Sequence, residues 1–153
     1  MRTKLIAGIA AVGAVLSVSW LVAAPALAHH AFAAEFDGNL PVNLQGKVTR
    51  VEWINPHTWI HIEVKKPDGT TQAWMIEGGT PNTLLRRGIT RDSIAIGTEI
   101  VVRGYQSKDK DCSTNNTCRA NGRDVTFPDG RKLFMGSSGT GAPKDGSDVT
   151  ESK

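Results

Sequence analysis

The chain has 153 residues, of which 18 are basic, 15 are acidic and 39% are hydrophobic. Two basic residues, Arg2 and Lys4, lie in the first 28 residues, so 16 basic residues face 15 acidic ones in the rest. A nearly neutral domain lacks the surplus of Lys and Arg that neutralises phosphates, which argues against a nucleic-acid partner. The remaining 125 residues are enough for one compact domain and leave no room for a second.

The first 28 residues have the pattern of a secretory signal peptide. A basic start precedes an apolar run over residues 5–22, and Ala26-Leu27-Ala28 supplies the small residues that a signal peptidase requires. Cleavage after Ala28 makes His29 the first residue of a periplasmic or secreted protein with no membrane attachment. Two alternatives stay open. Cleavage after Ala26 would leave Leu27 first, and an uncleaved run of this length lies at the lower edge of what spans a bilayer.

Downstream of residue 28, period-two alternation of apolar residues and regularly spaced turns predict a mainly β domain. The first strand is predicted over residues 41–55, with a bulge or bend near Thr49 and Arg50 because the apolar phase slips there. Further strands are predicted over residues 58–65, 72–77 and 99–105, followed by a short hairpin over 123–127 and 133–135.

One short helix is predicted after the third strand. Thr80 offers an N-cap, Pro81 suits the first helical position, and Gly88 would end the helix. Leu84 and Leu85 are its predicted buried face. The helix would therefore have about two turns.

This order of elements predicts the fold class. A long bent first strand, and a helix between strands three and four, are typical of a small five-stranded OB-fold-like barrel, here over residues 29–135. A small β-sandwich is the alternative, and the single helix argues against it. The Gly/Ser-rich segment 136–153 lacks apolar residues to bury and is predicted to be a disordered tail.

The two cysteines, Cys112 and Cys118, lie in a polar segment of a chain that is predicted to be exported. An oxidising compartment lets thiols pair, so we expect a disulfide that closes a small loop. Metal binding by the two thiols is the alternative, but the C-x-x-C spacing of such sites is missing.

Four motifs make the chain resemble a family of small exported bacterial proteins of unknown function. They are HHxFxxEFD at residues 29–37, VxWxNPHxWI at 51–60, WxIExG at 74–79 and DGRxL at 129–133. Together they extend over nearly all of residues 29–135. The resemblance implies an exported single-domain protein and brings no activity with it, so a mechanism has to come from the residues themselves.

All four histidines fall in two clusters, His29 with His30 and His57 with His61. Neutral imidazole is the commonest protein ligand of copper and zinc, and a free amino terminus adds a second nitrogen. If His29 is the first residue, its amine and ring can chelate one ion, and His57 can complete a site of three nitrogens. This arrangement is functionally analogous to the histidine brace of exported copper proteins. The sequence therefore predicts a metal site at His29, His30 and His57, with copper as the leading ligand.

Each member of these clusters also has an alternative role. His57 and His61 lie about 13 Å apart if they share one continuous strand, so they cannot both reach one ion. His61 is then a partly exposed strand residue, and Glu35 and Asp37 are either hard ligands or surface acids. A terminal His-His pair also binds Cu²⁺ locally without any fold. His57 can instead hydrogen-bond a backbone carbonyl and fix the Asn-Pro corner.

Three tryptophans support a second hypothesis, a metal-free binding module. OB folds bind polymers by stacking on an outer face, so Trp53, Trp59 and His61 are candidate contacts for a glycan, a small ligand or a protein partner. Trp53 and Trp74 are better explained as core residues of a barrel that has few other large side chains. An enzyme is not indicated, because no nucleophile elbow, zinc-protease motif or phosphate loop is present. If the protein is an enzyme, copper chemistry at His29 and His57 is the one mechanism that its residues suggest.

Overall fold

Six strands and several short helical turns follow one another along residues 32–110 and 112–136, which are the residues that the computed structural model describes. The strands are β1 (Phe36–Glu52), β2 (Trp59–Lys65), β3 (Thr71–Glu77), β4 (Glu99–Ser107), β5 (Thr117–Thr126) and β6 (Lys132–Phe134), and the helix α1 (Pro81–Arg86) lies between β3 and β4. The predicted signal peptide over residues 1–28 and all but the first residue of the predicted tail lie outside these ranges, and both stay predictions.

The strands form a closed barrel. β3, β2, β1, β4 and β5 pair in that order with antiparallel neighbours, and a parallel pairing between β3 and β5 joins the two ends. β6 adds one further strand to β5. This arrangement confirms the predicted OB-fold-like barrel with its short helix between strands three and four.

β1 is long because it serves two neighbours. Its first part pairs with β4 from Phe36 to Lys47, and its second part pairs with β2 from Lys47 to Glu52. The register with β2 shifts between Val48 and Arg50, which confirms the bulge predicted from the slip in apolar phase. The strand begins at Phe36 and ends at Glu52, whereas the sequence predicts residues 41–55.

The interior of the barrel is filled by aliphatic side chains at alternate strand positions. Ile60, Ile76 and Val102 are fully shielded from solvent. The backbones of β4 and β5 come very close to each other at Gly104. A Cβ on this residue would lie 2.0 Å from the backbone oxygen of Asn121. Only glycine therefore fits where β4 passes β5.

A second, smaller cluster holds the start of the described chain. Residues 32–35 form a helical turn, and Phe32 and Phe36 bury their rings against Tyr105 of β4. The ring centroid of Phe32 lies 5.8 Å from that of Phe36 and 5.6 Å from that of Tyr105. Aromatic contacts of this kind add to the stabilisation from buried area, so the segment before β1 is packed onto the barrel.

The helix α1 begins as the sequence predicts and buries one leucine of the predicted pair. The Oγ1 atom of Thr80 accepts a hydrogen bond of 3.1 Å from the backbone N–H of Thr83, and Pro81 is the first helical residue. Leu84 is buried, but Leu85 is 49% exposed, so its predicted burial is wrong. Successive residues are about 100° apart around a helix, and a six-residue helix presents only one of two neighbouring leucines to the barrel.

β5 is the element that the sequence predicts least well. It extends over Thr117–Thr126, whereas the apolar pattern predicts only residues 123–127, because most of its residues are polar or charged. Three of them are nevertheless buried, namely Asn121, Arg123 and Asp124. The predicted disulfide between Cys112 and Cys118 is confirmed, and it joins the start of β5 to the preceding loop.

We expect Ile76→Ala to lower the free energy of unfolding by about 2–5 kcal/mol, because it removes buried methyl groups and leaves a cavity. Ile76 is 0% exposed, and Ile96, which is 70% exposed, provides the matched control. Ile96→Ala should change the free energy of unfolding by less than about 0.5 kcal/mol. Urea unfolding measured by tryptophan fluorescence distinguishes the two, and equal effects would contradict this account of the core.

Candidate functional site

Six side chains share the outer surface of β2, β3 and β5, which we call the outer face. Cross-strand pairing arranges them in two rows, one of Trp59, Glu77 and Asn121 and the other of His61, Met75 and Arg119. Their strand neighbours Ile60, Ile76 and Ala120 are buried in the core. Because side chains alternate along a strand, the six point away from the core.

His57 lies at one end of the outer face, between β1 and β2. It follows a cis peptide bond between Asn55 and Pro56. Its Nδ1 atom lies 3.3 Å from the backbone oxygen of Gly78 and 3.4 Å from Oε1 of Glu77. The backbone oxygen can only accept a hydrogen bond, so Nδ1 is the ring nitrogen that donates, and Nε2 is the nitrogen that a metal could bind. The His57 side chain is 32% exposed, and its Nε2 has no hydrogen bond to the described residues.

Backbone hydrogen bonds fix the segment that carries His57. The N–H of Thr58 donates to the oxygen of Gly79 over 3.0 Å, and the N–H of Gly78 donates to the oxygen of Thr58 over 2.7 Å. These bonds join the chain before β2 to the chain after β3. The contact between the His57 ring and a backbone carbonyl matches the structural role that the sequence left open, and it does not test whether His57 also binds a metal.

Glu77 is a buried carboxyl group beside His57. Burial raises the pKa of Glu77, the charges of His57 and Arg119 oppose the rise, and the charge of Glu35 adds to it. The Nδ2 atom of Asn121 donates to Oε1 of Glu77 over 3.3 Å. One carboxylate oxygen therefore faces both Asn121 and His57.

Glu35 connects the segment before β1 to this site. Its Oε2 lies 3.0 Å from Nη2 of Arg119, and the guanidinium of Arg119 lies over the Trp59 ring, 5.2 Å from the ring centroid. The backbone oxygen of Glu35 accepts from the N–H of Lys108 over 2.9 Å and from Oγ of Ser107 over 3.2 Å. The segment of residues 32–35, which comes shortly after His29 and His30 in the sequence, is thus held beside the outer face. His29 and His30 themselves lie outside the described residues.

His61 belongs to a separate group of charges. Its Nε2 lies 2.9 Å from Oε1 of Glu52 and 3.1 Å from Nη2 of Arg50, and His57 has neither contact. Burial and the charge of Arg50 lower the pKa of His61, and Glu52 opposes this shift. His57 and His61 therefore have no contact partner in common among the described residues.

The tryptophans differ in their surroundings. Trp74 is 9% exposed and belongs to the core, as expected, and Trp53 is half-buried and packs against the core. Trp59 is half-buried on the outer face, where Arg119 covers part of its ring. Asp37 accepts from the backbone N–H of Asn39 over 2.9 Å, which is a local turn contact.

Comparison with known families places the chain in one of them. The profile of a family of unknown function, DUF6152, matches residues 15–116. The chain belongs to this family. The resemblance to an uncharacterised family that the sequence motifs indicate is thereby confirmed, while export of the protein stays a prediction. No curated protein and no solved structure matches the chain.

Membership in this family does not indicate a ligand. The described residues by themselves do not form a complete metal site. Among them, no three His, Cys, Asp or Glu side chains are grouped closely enough to hold an ion. His57 and Glu77 form a pair, and the other predicted nitrogen ligands lie before residue 32.

Within residues 32–110 and 112–136, no helix is long and apolar enough to cross a membrane.

Two residues of the site were not found from the sequence. Arg119 and Asn121 lie on β5, whose polar sequence hides the strand, and the outer face forms only when β5 pairs with β3. Glu77 lies within the WxIExG motif, and that motif gave no indication of its contact with His57.

We expect the protein to lose stability as the pH falls through the ordinary titration range of histidine, because the pKa of His61 is lowered from 6.5 in the folded chain. The unfolded chain takes up a proton first, so the free energy of unfolding falls from about pH 7 downwards until the folded histidine also titrates. His61→Gln should reduce this pH dependence. Thermal unfolding of both proteins at several pH values measures it, and an unchanged slope in the variant would contradict this interpretation.

Proposed function

We propose that the chain is an exported binding protein that holds a copper ion between its N-terminal histidine and His57. The observation that carries the proposal is the environment of the His57 ring. A histidine that binds a metal through one ring nitrogen almost always donates the other N–H to a carboxylate or a backbone carbonyl. His57 has both acceptors at Nδ1, in Glu77 and Gly78, and its Nε2 faces away from them.

The path of the chain supports the participation of the terminus. One residue spans at most about 3.6 Å, so His29 and His30 stay within roughly 11 Å of Phe32. Phe32 is packed against Tyr105, and Glu35 is bound to Arg119 on the outer face. The attachment of Phe32 and Glu35 to the barrel supports the proposal that His29 contributes to the site.

The chemistry of the ligands favours a borderline transition metal. The terminal amine and ring of His29, together with Nε2 of His57, would supply three nitrogen ligands, and His30 is the alternative from the terminus. Nitrogen ligands suit copper and zinc, and copper binds more strongly than zinc to a given set of such ligands. Oε1 of Glu77, 3.4 Å from Nδ1 of His57, adds an oxygen atom beside these nitrogens.

The proposal concerns binding and not catalysis. The second hypothesis, a metal-free module that binds a glycan, a small ligand or a partner through Trp59, stays a prediction. Its stacking surface is reduced, because Arg119 lies over the Trp59 ring at 5.2 Å from the centroid. The location in the periplasm or outside the cell likewise stays part of the proposal.

We expect His57→Ala to weaken Cu²⁺ binding at least about tenfold, because the site loses one of its ring nitrogens. The measurement is a competition titration with a chelator, made on protein purified from the periplasm whose mass shows that it begins at His29. His61→Ala is the matched control, since His61 contacts Glu52 and Arg50 instead. Unchanged affinity in His57→Ala would show that the ion binds to the terminus alone and would remove the proposal.

We also expect Glu77→Leu to weaken Cu²⁺ binding by about 10–100-fold, because the His57 ring loses the carboxylate that holds it. Glu63→Leu is the control, since Glu63 is an exposed residue of β2 at the other end of the strand. The same competition titration applies. Equal affinity in the two variants would mean that Glu77 does not position His57 for metal binding.

A further inference from the structure

We infer that the open edge of β1 is closed to other strands by Pro41, so that the barrel does not extend its sheet into a second copy of the chain. This inference does not depend on the proposed copper site. On one side, β1 pairs with β4 from Phe36 to Lys47, and on the other side it pairs with β2 only from Lys47 to Glu52. The stretch before Lys47 therefore has one edge that no described strand covers.

This edge has the features that favour pairing with another chain. Residues 37–45 extend over about 27 Å, at about 3.4 Å per residue. Leu40 and Val42 are half-buried within this stretch. A long open edge with hydrophobic side chains is a template for a further strand, and native proteins protect such edges with prolines, bulges or short strands. β6 is also an edge strand, but it has only three residues.

The hydrogen bonds of Val48 show which backbone groups point to the open edge. Its N–H donates to the oxygen of Thr98 over 2.9 Å, and its oxygen accepts from the N–H of Gly97 over 2.7 Å, so both groups point to the side of β4. Successive residues of a strand turn their N–H and C=O groups to opposite sides. The register with β4 is unbroken from Pro41 to Lys47, so the odd-numbered residues of this stretch point to the open side.

Pro41 therefore turns a nitrogen without a hydrogen to the open side, which is the orientation in which a sheet tolerates proline. The residues before Pro41 are irregular, because the register with β4 shifts between Phe36 and Pro41. In this irregular part, the N–H of Asn39 donates to Oδ1 of Asp37 over 2.9 Å. A second strand would thus lose regular hydrogen bonds at Pro41 and at Asn39.

The other end of the open edge is limited by β2. Lys47 pairs with Glu63, and the same register continued by two residues places Gln45 beside Lys65, the last residue of β2. Gln45 and Lys65 line one surface cavity. Asn43 is the odd-numbered residue that remains between this limit and Pro41. A strand pair is held by a run of hydrogen bonds, and the N–H and C=O groups of one residue do not supply it.

The first test uses the unmodified protein and does not depend on how any variant folds. We expect the amide hydrogen of Asn43 to exchange with solvent at least about tenfold faster than those of Val42 and Leu44, because only the latter two point to β4. Exchange into D₂O followed by NMR measures the three rates. Equal protection of the three amides would show that the edge is already paired and would overturn the inference.

The second test restores the missing donor with Pro41→Val, because valine has an N–H and suits a strand. We expect its apparent mass, measured by light scattering after size-exclusion chromatography, to be at least about twice that of the unmodified protein at the same concentration. Pro67→Val is the matched control, since Pro67 lies in the exposed turn between β2 and β3. An unchanged mass in Pro41→Val, or an equal increase in Pro67→Val, would overturn the inference.

A third variant distinguishes pairing at this edge from misfolding. Adding Asn43→Pro to Pro41→Val places a proline at the next position that points to the open side, so we expect the mass to return to that of the unmodified protein. Far-UV circular dichroism checks that each variant keeps its strands. If the double variant still assembles, the assembly does not use this edge, and the inference fails.

Discussion

The parallel pairing of β3 with β5 is the contact on which the rest of the structure depends. It joins the two ends of the sheet, and five strands thereby enclose one core. The same pairing places Asn121 beside Glu77, and Arg119 within reach of Trp59. Without it the core would lose one wall, and the side chains of the outer face would have no common surface. Fold and candidate site therefore have one origin.

Closing the barrel through the β3–β5 pairing buries several polar residues of β5. Asp124 is buried, and it accepts hydrogen bonds from Nε of Arg103 at 3.0 and 3.1 Å. Asn121 uses its Nδ2 on Glu77, and its Oδ1 has no partner among the described residues. A buried polar atom without a partner costs about 1–3 kcal/mol, so a strand of this composition would not be chosen for stability alone. Two of its polar side chains, Arg119 and Asn121, lie on the outer face.

The residues just before β1 link the fold to the proposed function. The rings of Phe32 and Phe36 and the backbone of Glu35 fix the residues just before β1. A signal peptide can be followed by any soluble segment, so this attachment is not required by export. A local Cu²⁺ chelate at a free terminus would not need it either. The proposed copper site depends on this attachment.

The sequence by itself determined the strands that have a clear apolar period, the bulge after Val48, the cap at Thr80 and the pairing of Cys112 with Cys118. These features follow from local patterns of a few neighbouring residues, which act before any tertiary contact forms. Only the tertiary structure decided the extent of β5, because a polar segment becomes a strand when the neighbouring edges of β3 and β4 bind its backbone. The contacts of His57 with Glu77 and Gly78 were also beyond the sequence. They lie at the open end of the β2–β3 hairpin, and the path of the chain that brings the ring there, after the Asn55-Pro56 bond, follows no spacing rule.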